Sequence, residues 1–296
     1  MASLALSIPE NAPGELFVDS SCIACDTCRR VAPGLYGGGP WDRAHVARQP
    51  SSPAEWRRAL MALVACPVSA IGTARKRPPG EVAAAARAFP DPVDAADGVY
   101  HCGYASERSF GAASWLVVRQ GGNVLVDSPR FAGPLLARIR QMGGVRWLFL
   151  THRDDVADHA RWAGALGCER ILHARDAGGA TAGVERKVDG EGAVPLAGDL
   201  LLVPVPGHTA GSMALLYRER WLFTGDHLWA GEDGRLEAGP DVCWYSWREQ
   251  ARSMDRLAGL RFEAVLPGHG RPWRGASAEE ARREVVRLAA RMRGQA

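Results

Sequence analysis

THRDDVADHA, residues 151–160, sets two histidines and three aspartates in ten positions directly after the apolar run VRWLFL, residues 145–150. The run reads as a buried strand and the residues beyond it carry helical spacing. Acids and imidazoles are therefore concentrated where a strand ends. Such a stretch is either a metal site or the polar start of a helix, with Asp154 or Asp155 as the cap.

Three other segments bear on that choice: VPGHTAGS (205–212), LFTGDH (222–227) and LPGHG (266–270). Each sets His208, Asp226 or His269 after a glycine and an apolar strand, where the backbone turns sharply and approaches an ion closely. Imidazole nitrogen and carboxylate oxygen suit zinc, iron or manganese, and an aspartate bridges two ions. A single loop histidine is ordinary. Four strand-end motifs in this order are not, and the candidate ligands fall within His152 to His159, then His208, Asp226 and His269. His101, His173 and His227 lack such a setting and read as structural.

Residues 98–275 resemble the metallo-β-lactamase superfamily. The resemblance implies an α+β protein with an αβ/βα sandwich and a metal site at one sheet edge. It also implies the ligand pattern H-x-H-x-D-H, then a histidine, a bridging aspartate and a last histidine. PGHTAGS, FTGDH and PGHG match closely, so His208, Asp226 and His269 carry over. His152 fits the first histidine and Asp158-His159 the closing pair, but five residues separate them instead of three and the second histidine is missing. Asp154 stands at its place, where the flavodiiron branch uses a carboxylate; the two-residue expansion leaves Asp155 as the alternative. The expected set is thus His152, Asp154, Asp158, His159, His208, Asp226 and His269 around two zinc or iron ions, with Asp158 also orienting the nucleophile.

CIACDTCRRVAP, residues 22–33, is a second chemical signature. The C-x2-C-x2-C spacing of Cys22, Cys25 and Cys28 places three sulfurs around one cubane. Two-cluster ferredoxins continue to a fourth cysteine before proline; here Ala32 precedes Pro33, and Cys66-Pro67 supplies the missing ligand. A four-cysteine zinc site more often uses two separated C-x2-C pairs. The segment, about residues 15–72, resembles a single-cluster bacterial ferredoxin, which implies one [4Fe–4S] cluster on Cys22, Cys25, Cys28 and Cys66. Cys102, Cys168 and Cys243 stand apart and read as small buried apolar residues.

The expected organisation is a ferredoxin-like domain over 1–72, a linker with a short helix over 73–97, and a metallo-β-lactamase-fold domain over 98–296 ending in a helix at SAEEARREVVRLAARMR. A net charge of +3, with two lysines among 36 basic residues and no arginine stripe, argues against nucleic acid. No apolar run is long enough to span a membrane and the start lacks a basic, apolar leader, so the expected location is the cytoplasm. The chemistry expected is metal-dependent hydrolysis of an ester, thioester or related small molecule by a metal-bound hydroxide, with the iron–sulfur domain attached. The alternative is an iron-dependent oxidoreductase acting on oxygen, nitric oxide or a sulfur species with electrons from the cluster, which implies a redox partner. A third reading is a non-catalytic, cluster-bearing sensor. VCWYSW, residues 242–247, is either core or a substrate mouth.

Overall fold

The computed structural model describes residues 1–38 and 42–294. The chain divides into two compact units, Met1–Trp147 with Ala157–Cys168, and Leu148–Val156 with Glu169–Ala296.

In the first unit an antiparallel pair, Leu16–Val18 against Ile71–Thr73, closes the cysteine-bearing segment. Between them the helix Pro53–Ala65 opens on Ser52, whose hydroxyl accepts from Glu55 N at 3.2 Å, with proline in the first turn. Ala59, Leu60, Met61, Ala62 and Ala65 form its buried face, and Cys66 follows as its C-terminal cap. Within residues 73–97 the helix is Pro79–Arg87, and Asp91–Asp94 is an edge strand paired with Val99–His101. Antiparallel pairing continues through Trp115–Val117 to Val124–Val126, whose apolar residues are fully buried. The cysteine segment is tied to this sheet's loops: Ala105 N donates to Ala65 O (3.1 Å), Arg130 Nη2 to Val64 O (3.0 Å), and Arg58 Nη1 pairs with Asp91 (2.6 Å).

In the second unit six strands run in the order Val194–Ala197, Leu200–Pro204, Met213–Tyr217, Trp221–Gly225, Ala264–Pro267 and Trp273–Arg274. All neighbours are antiparallel except Trp221–Gly225 and Ala264–Pro267, which are parallel and joined through the helix Trp247–Ala258. A parallel pair needs such a crossover. Its consequence is that both strands end at one edge, delivering Asp226 and His269 together. Two antiparallel steps separate Leu200–Pro204 from Trp221–Gly225, so it too runs toward that edge, and His208 follows it. Met213 N donates to Thr151 O at 2.8 Å, bringing the first histidine stretch alongside.

One face of this sheet is covered by Trp247–Ala258 and by Ala278–Arg293, through Met254, Leu257, Val285, Leu288 and Met292. The second helix starts as the sequence spacing predicts, with Ser277 Oγ accepting from Glu280 N at 3.2 Å. Among the described residues no helix is long and apolar enough to cross a membrane. Burying a leucine contributes about 1.5–3 kcal/mol, more than a cap at about 1 kcal/mol, so packing holds the terminal helix. Leu288→Ala should accordingly cost about 2–5 kcal/mol in denaturant unfolding, and Ser277→Ala about 1 kcal/mol. Equal losses would contradict that ordering.

Candidate metal centres

Cys22, Cys25, Cys28 and Cys66 line one small cavity with Ile23, Val68, Ala70 and Ile71. Burial pushes the thiols of Cys25, Cys28 and Cys66 above their ordinary range, and the neighbouring sulfurs push in the same direction. Three of the four thiols gathered here, those of Cys25, Cys28 and Cys66, resist ionising alone; a cationic group among them would reverse that balance, so the residues fit a cluster. Ala70 N donates to Cys66 Sγ at 3.3 Å and Thr27 Oγ1 lies 3.3 Å from Cys25 Sγ. Thr27 Oγ1 also donates to Gly111 O at 3.2 Å, fixing a sheet loop against the cysteines. A Cβ on Gly111 would meet Cys25 Cβ at 2.4 Å, and φ there is +84°.

The second centre is built around one oxygen. Asp226 Oδ2 lies 3.8 Å from His152 Nε2, 3.7 Å from His208 Nε2 and 3.9 Å from His269 Nε2. These separations exceed hydrogen-bond reach. Two bonds of about 2.1 Å to a shared ion span up to about 4.2 Å. His152 Nε2, His208 Nε2 and Asp155 Oδ2 are buried with no hydrogen-bond partner. Orphaned buried polar atoms are rare and costly, and here they point at one another. Asp155 Oδ2 lies 3.8 Å from His152 Nε2 and 3.7 Å from His269 Nε2; Asp154 Oδ2 lies 3.5 Å from His208 Nε2. Two overlapping donor groups result, His152–Asp154–His208 and His152–Asp155–Asp226. The residues fit a metal ion in each.

Local hydrogen bonds set the orientation of these donors. His208 Nδ1 lies 2.6 Å from Val242 O, which accepts only, so Nδ1 carries the proton and Nε2 presents its lone pair. His152 Nδ1 lies 2.9 Å from Thr151 Oγ1. His269 N donates to Asp226 Oδ1 at 3.2 Å, leaving Oδ2 for the centre. Burial opposes ionisation of Asp226, yet the imidazoles of His269, His152 and His208 hold its carboxyl below the ordinary range. Contact with His208 does the same for Asp154, against burial. Gly268 leaves the room: a Cβ there would sit 2.7 Å from Asp226 Oδ1 and 3.2 Å from Asp155 Oδ2.

The structure thus brings together His152, Asp154, His208, Asp226 and His269, and adds Asp155 alongside Asp154 rather than in its stead. Asp158 and His159 belong to the first unit. There the Asp158 carboxylate accepts from Phe131 N at 2.8 Å and pairs with Arg108 at 3.3 Å, and His159 is buried at the start of the helix His159–Leu166. Among the residues read as structural, His101 and His227 are held down at about 3, by burial chiefly, with Arg30 and Arg58 adding to it at His101 and His208 at His227. Burial pushes Cys102 up to about 12. In VCWYSW, Val242 orients His208, and the amides of Trp244 and Tyr245 both donate to His208 O at 3.0 Å. Their side chains are 64% and 52% exposed, so they are not core.

A family model described as "Metallo-beta-lactamase superfamily" matches residues 95–278. The chain belongs to the metallo-β-lactamase superfamily. A second model, "4Fe-4S single cluster domain of Ferredoxin I", matches residues 18–73. The chain is similar to a hydroxyacylglutathione hydrolase of Acidiphilium cryptum, 30% identical over 164 residues, which are 53% of this chain and 63% of that protein. It is also similar to a hydroxyacylglutathione hydrolase of Rhodospirillum rubrum, 31% identical over 137 residues, 44% of this chain and 53% of that one. The match therefore spans between half and two thirds of these curated relatives. A solved metallo-beta-lactamase family protein of Thermus thermophilus aligns at 21% identity and TM-score 0.49, covering 67% of this chain and 80% of that one. The mixed α/β fold and the two-part resemblance expected from the sequence are both borne out.

Each centre has a glycine whose replacement should disturb it selectively. Gly111→Ala should lower acid-labile sulfide per chain while leaving metal at the histidine centre. Gly268→Ala should lower zinc or iron at the histidine centre while leaving sulfide unchanged. Metal and sulfide analysis of the two purified variants checks both; parallel losses in both variants would mean the effects are global.

Proposed function

We propose that this chain is a metal-dependent hydrolase of thioesters or related esters, with a [4Fe–4S] cluster carried by Cys22, Cys25, Cys28 and Cys66. The observation that carries the reading is Asp226 Oδ2 standing 3.7–3.9 Å from three imidazole nitrogens. In this reading His152, Asp154 and His208 would hold one ion and Asp155 and His269 another, with Asp226 available to both. What favours Asp155 over Asp158 in the second group is its buried, partnerless Oδ2. Asp158, engaged by Phe131 and Arg108, takes a positioning role in place of nucleophile orientation.

When bound, divalent ions lower the pKa of a coordinated water toward about 7 and polarise a carbonyl group. The protein supplies the arrangement. The Val242 carbonyl holds the tautomer of His208, His269 N fixes the rotation of Asp226, and Asp154, 42% exposed, is the donor open to solvent. Held below its ordinary range, Asp154 is ionised near neutral pH and serves as ligand, not as proton donor. Water and thioester give carboxylic acid and thiol with no net electron. The thioester choice rests on the relatives, whose name describes hydrolysis of an acyl group on glutathione.

The second reading, an iron oxidoreductase, draws on the donor set: three carboxylates with three imidazoles are harder than a histidine-rich set and favour iron. Cys66→Ala separates the two. A hydrolase lacking its cluster but folded should keep thioester turnover within severalfold, whereas an oxidoreductase fed by the cluster should lose reductant-driven turnover. Asp226→Ala should weaken metal binding at least about 100-fold and abolish thioester hydrolysis. Of the two neighbouring variants, Asp155→Ala should remove the ion shared with His269 and Asp154→Ala the ion shared with His208. Wild-type protein inert toward thioesters and esters, but consuming oxygen or nitric oxide with a reductant, would replace the first reading by the second.

A further inference from the structure

Asp176 ends the short turn Ala174–Asp176 after the strand Glu169–His173, and no motif draws attention to it. It is 2% exposed. No cation pairs with it among the described residues. Its Oδ2 accepts from Arg153 N at 3.0 Å and from Thr209 Oγ1 at 2.6 Å, and its Oδ1 accepts from Gly211 N at 2.8 Å. A buried carboxylate without a counter-charge is costly, and three hydrogen bonds are what offset that cost here.

The partners of this carboxylate are specific. Arg153 is the residue between His152 and Asp154, and Thr209 directly follows His208. One side chain therefore grips both loops that bring the donors of the His152–Asp154–His208 group together. Thr209 is held in turn by Ser212, whose Oγ accepts from Thr209 N at 2.9 Å. Asp176 is itself anchored, because Thr181 Oγ1 donates to its backbone carbonyl at 2.7 Å. The approach to the second loop requires glycine, since a Cβ on Gly211 would lie 2.6 Å from Asp176 Cγ.

We propose that Asp176 is a positioning residue that sets the spacing of His152, Asp154 and His208 by clamping their two loops through Arg153 N, Thr209 Oγ1 and Gly211 N. The proposal rests on the metal-centre reading above. Metal affinity depends on donors being held in place before the ion arrives, and groups that orient ligands are typically worth about 10–100-fold in affinity. Asparagine keeps the shape and one acceptor oxygen, but its amide nitrogen would face a donor. It should restore only part of the clamp.

The test is zinc affinity of the full chain, by competition with a chelator, together with the visible spectrum of the cobalt-loaded protein. Asp176→Ala should bind zinc about 10–100-fold more weakly than wild type and shift the cobalt bands, with Asp176→Asn between the two. A folded Asp176→Ala with wild-type affinity and wild-type cobalt bands overturns the proposal. If Asp176→Ala does not fold, Thr209→Val replaces it, because it removes one of the three bonds. A severalfold weaker affinity there supports the clamp and an unchanged one overturns it. Wild-type protein that takes up neither zinc nor cobalt at this centre overturns the metal-centre reading itself, and the proposal with it.

Discussion

Three imidazole nitrogens face one carboxylate oxygen, Asp226 Oδ2, at distances too long for hydrogen bonds. Left as it stands, the arrangement buries His152 Nε2, His208 Nε2 and Asp155 Oδ2 without partners. Each such group costs about 1–3 kcal/mol, a large share of the stability of an ordinary domain. The neighbouring hydrogen bonds keep these donors aimed inward. Val242 O, Thr151 Oγ1 and His269 N each hold the far side of a donor group. That pattern fits a site completed by cations.

The architecture follows from the same requirement. Trp221–Gly225 and Ala264–Pro267 are the one parallel pair in the six-stranded sheet, and this exception delivers Asp226 and His269 to one edge. The helices Trp247–Ala258 and Ala278–Arg293 bury that sheet's apolar face, so the strands beneath the donors are packed on a continuous core. In the first unit the helix Pro53–Ala65 does equivalent work for the sulfurs, ending at Cys66 with the cap already made. Cys66 and Cys28 thus rest on helices, whereas Cys22 and Cys25 lie in the loop between Leu16–Val18 and the helix Thr27–Val31.

Much of this was legible in the sequence, because the chemistry is carried by short motifs whose glycines mark strand ends. C-x2-C-x2-C with a distant Cys-Pro, and the His208, Asp226 and His269 segments, needed no structure to be noticed. The stretch THRDDVADH was legible only in part. Its spacing resembled two alternatives, and the side chains that turn inward after His152 depend on backbone angles that residue types do not specify; Ala157, for instance, has φ +30°. Asp155 thus entered as an alternative and proved to lie with Asp226 and His269, while the carboxylate of Asp158 meets Phe131 and Arg108. Asp176 was invisible because two of its three donors are backbone amides, which leave no pattern of side chains in the sequence. The role of VCWYSW lies in main-chain atoms too, through Val242 O and the amides of Trp244 and Tyr245.

The central claim is that Asp226 Oδ2 and its surrounding imidazoles are metal ligands. Anomalous diffraction at the zinc and iron absorption edges, from crystals of anaerobically purified protein, addresses it atom by atom. The account predicts an anomalous peak about 2.0–2.2 Å from Asp226 Oδ2 and from the Nε2 atoms of His152 and His208, with a second peak beside Asp155 and His269. Ordinary water density hydrogen-bonded among these side chains, with no anomalous signal at either edge, would contradict it.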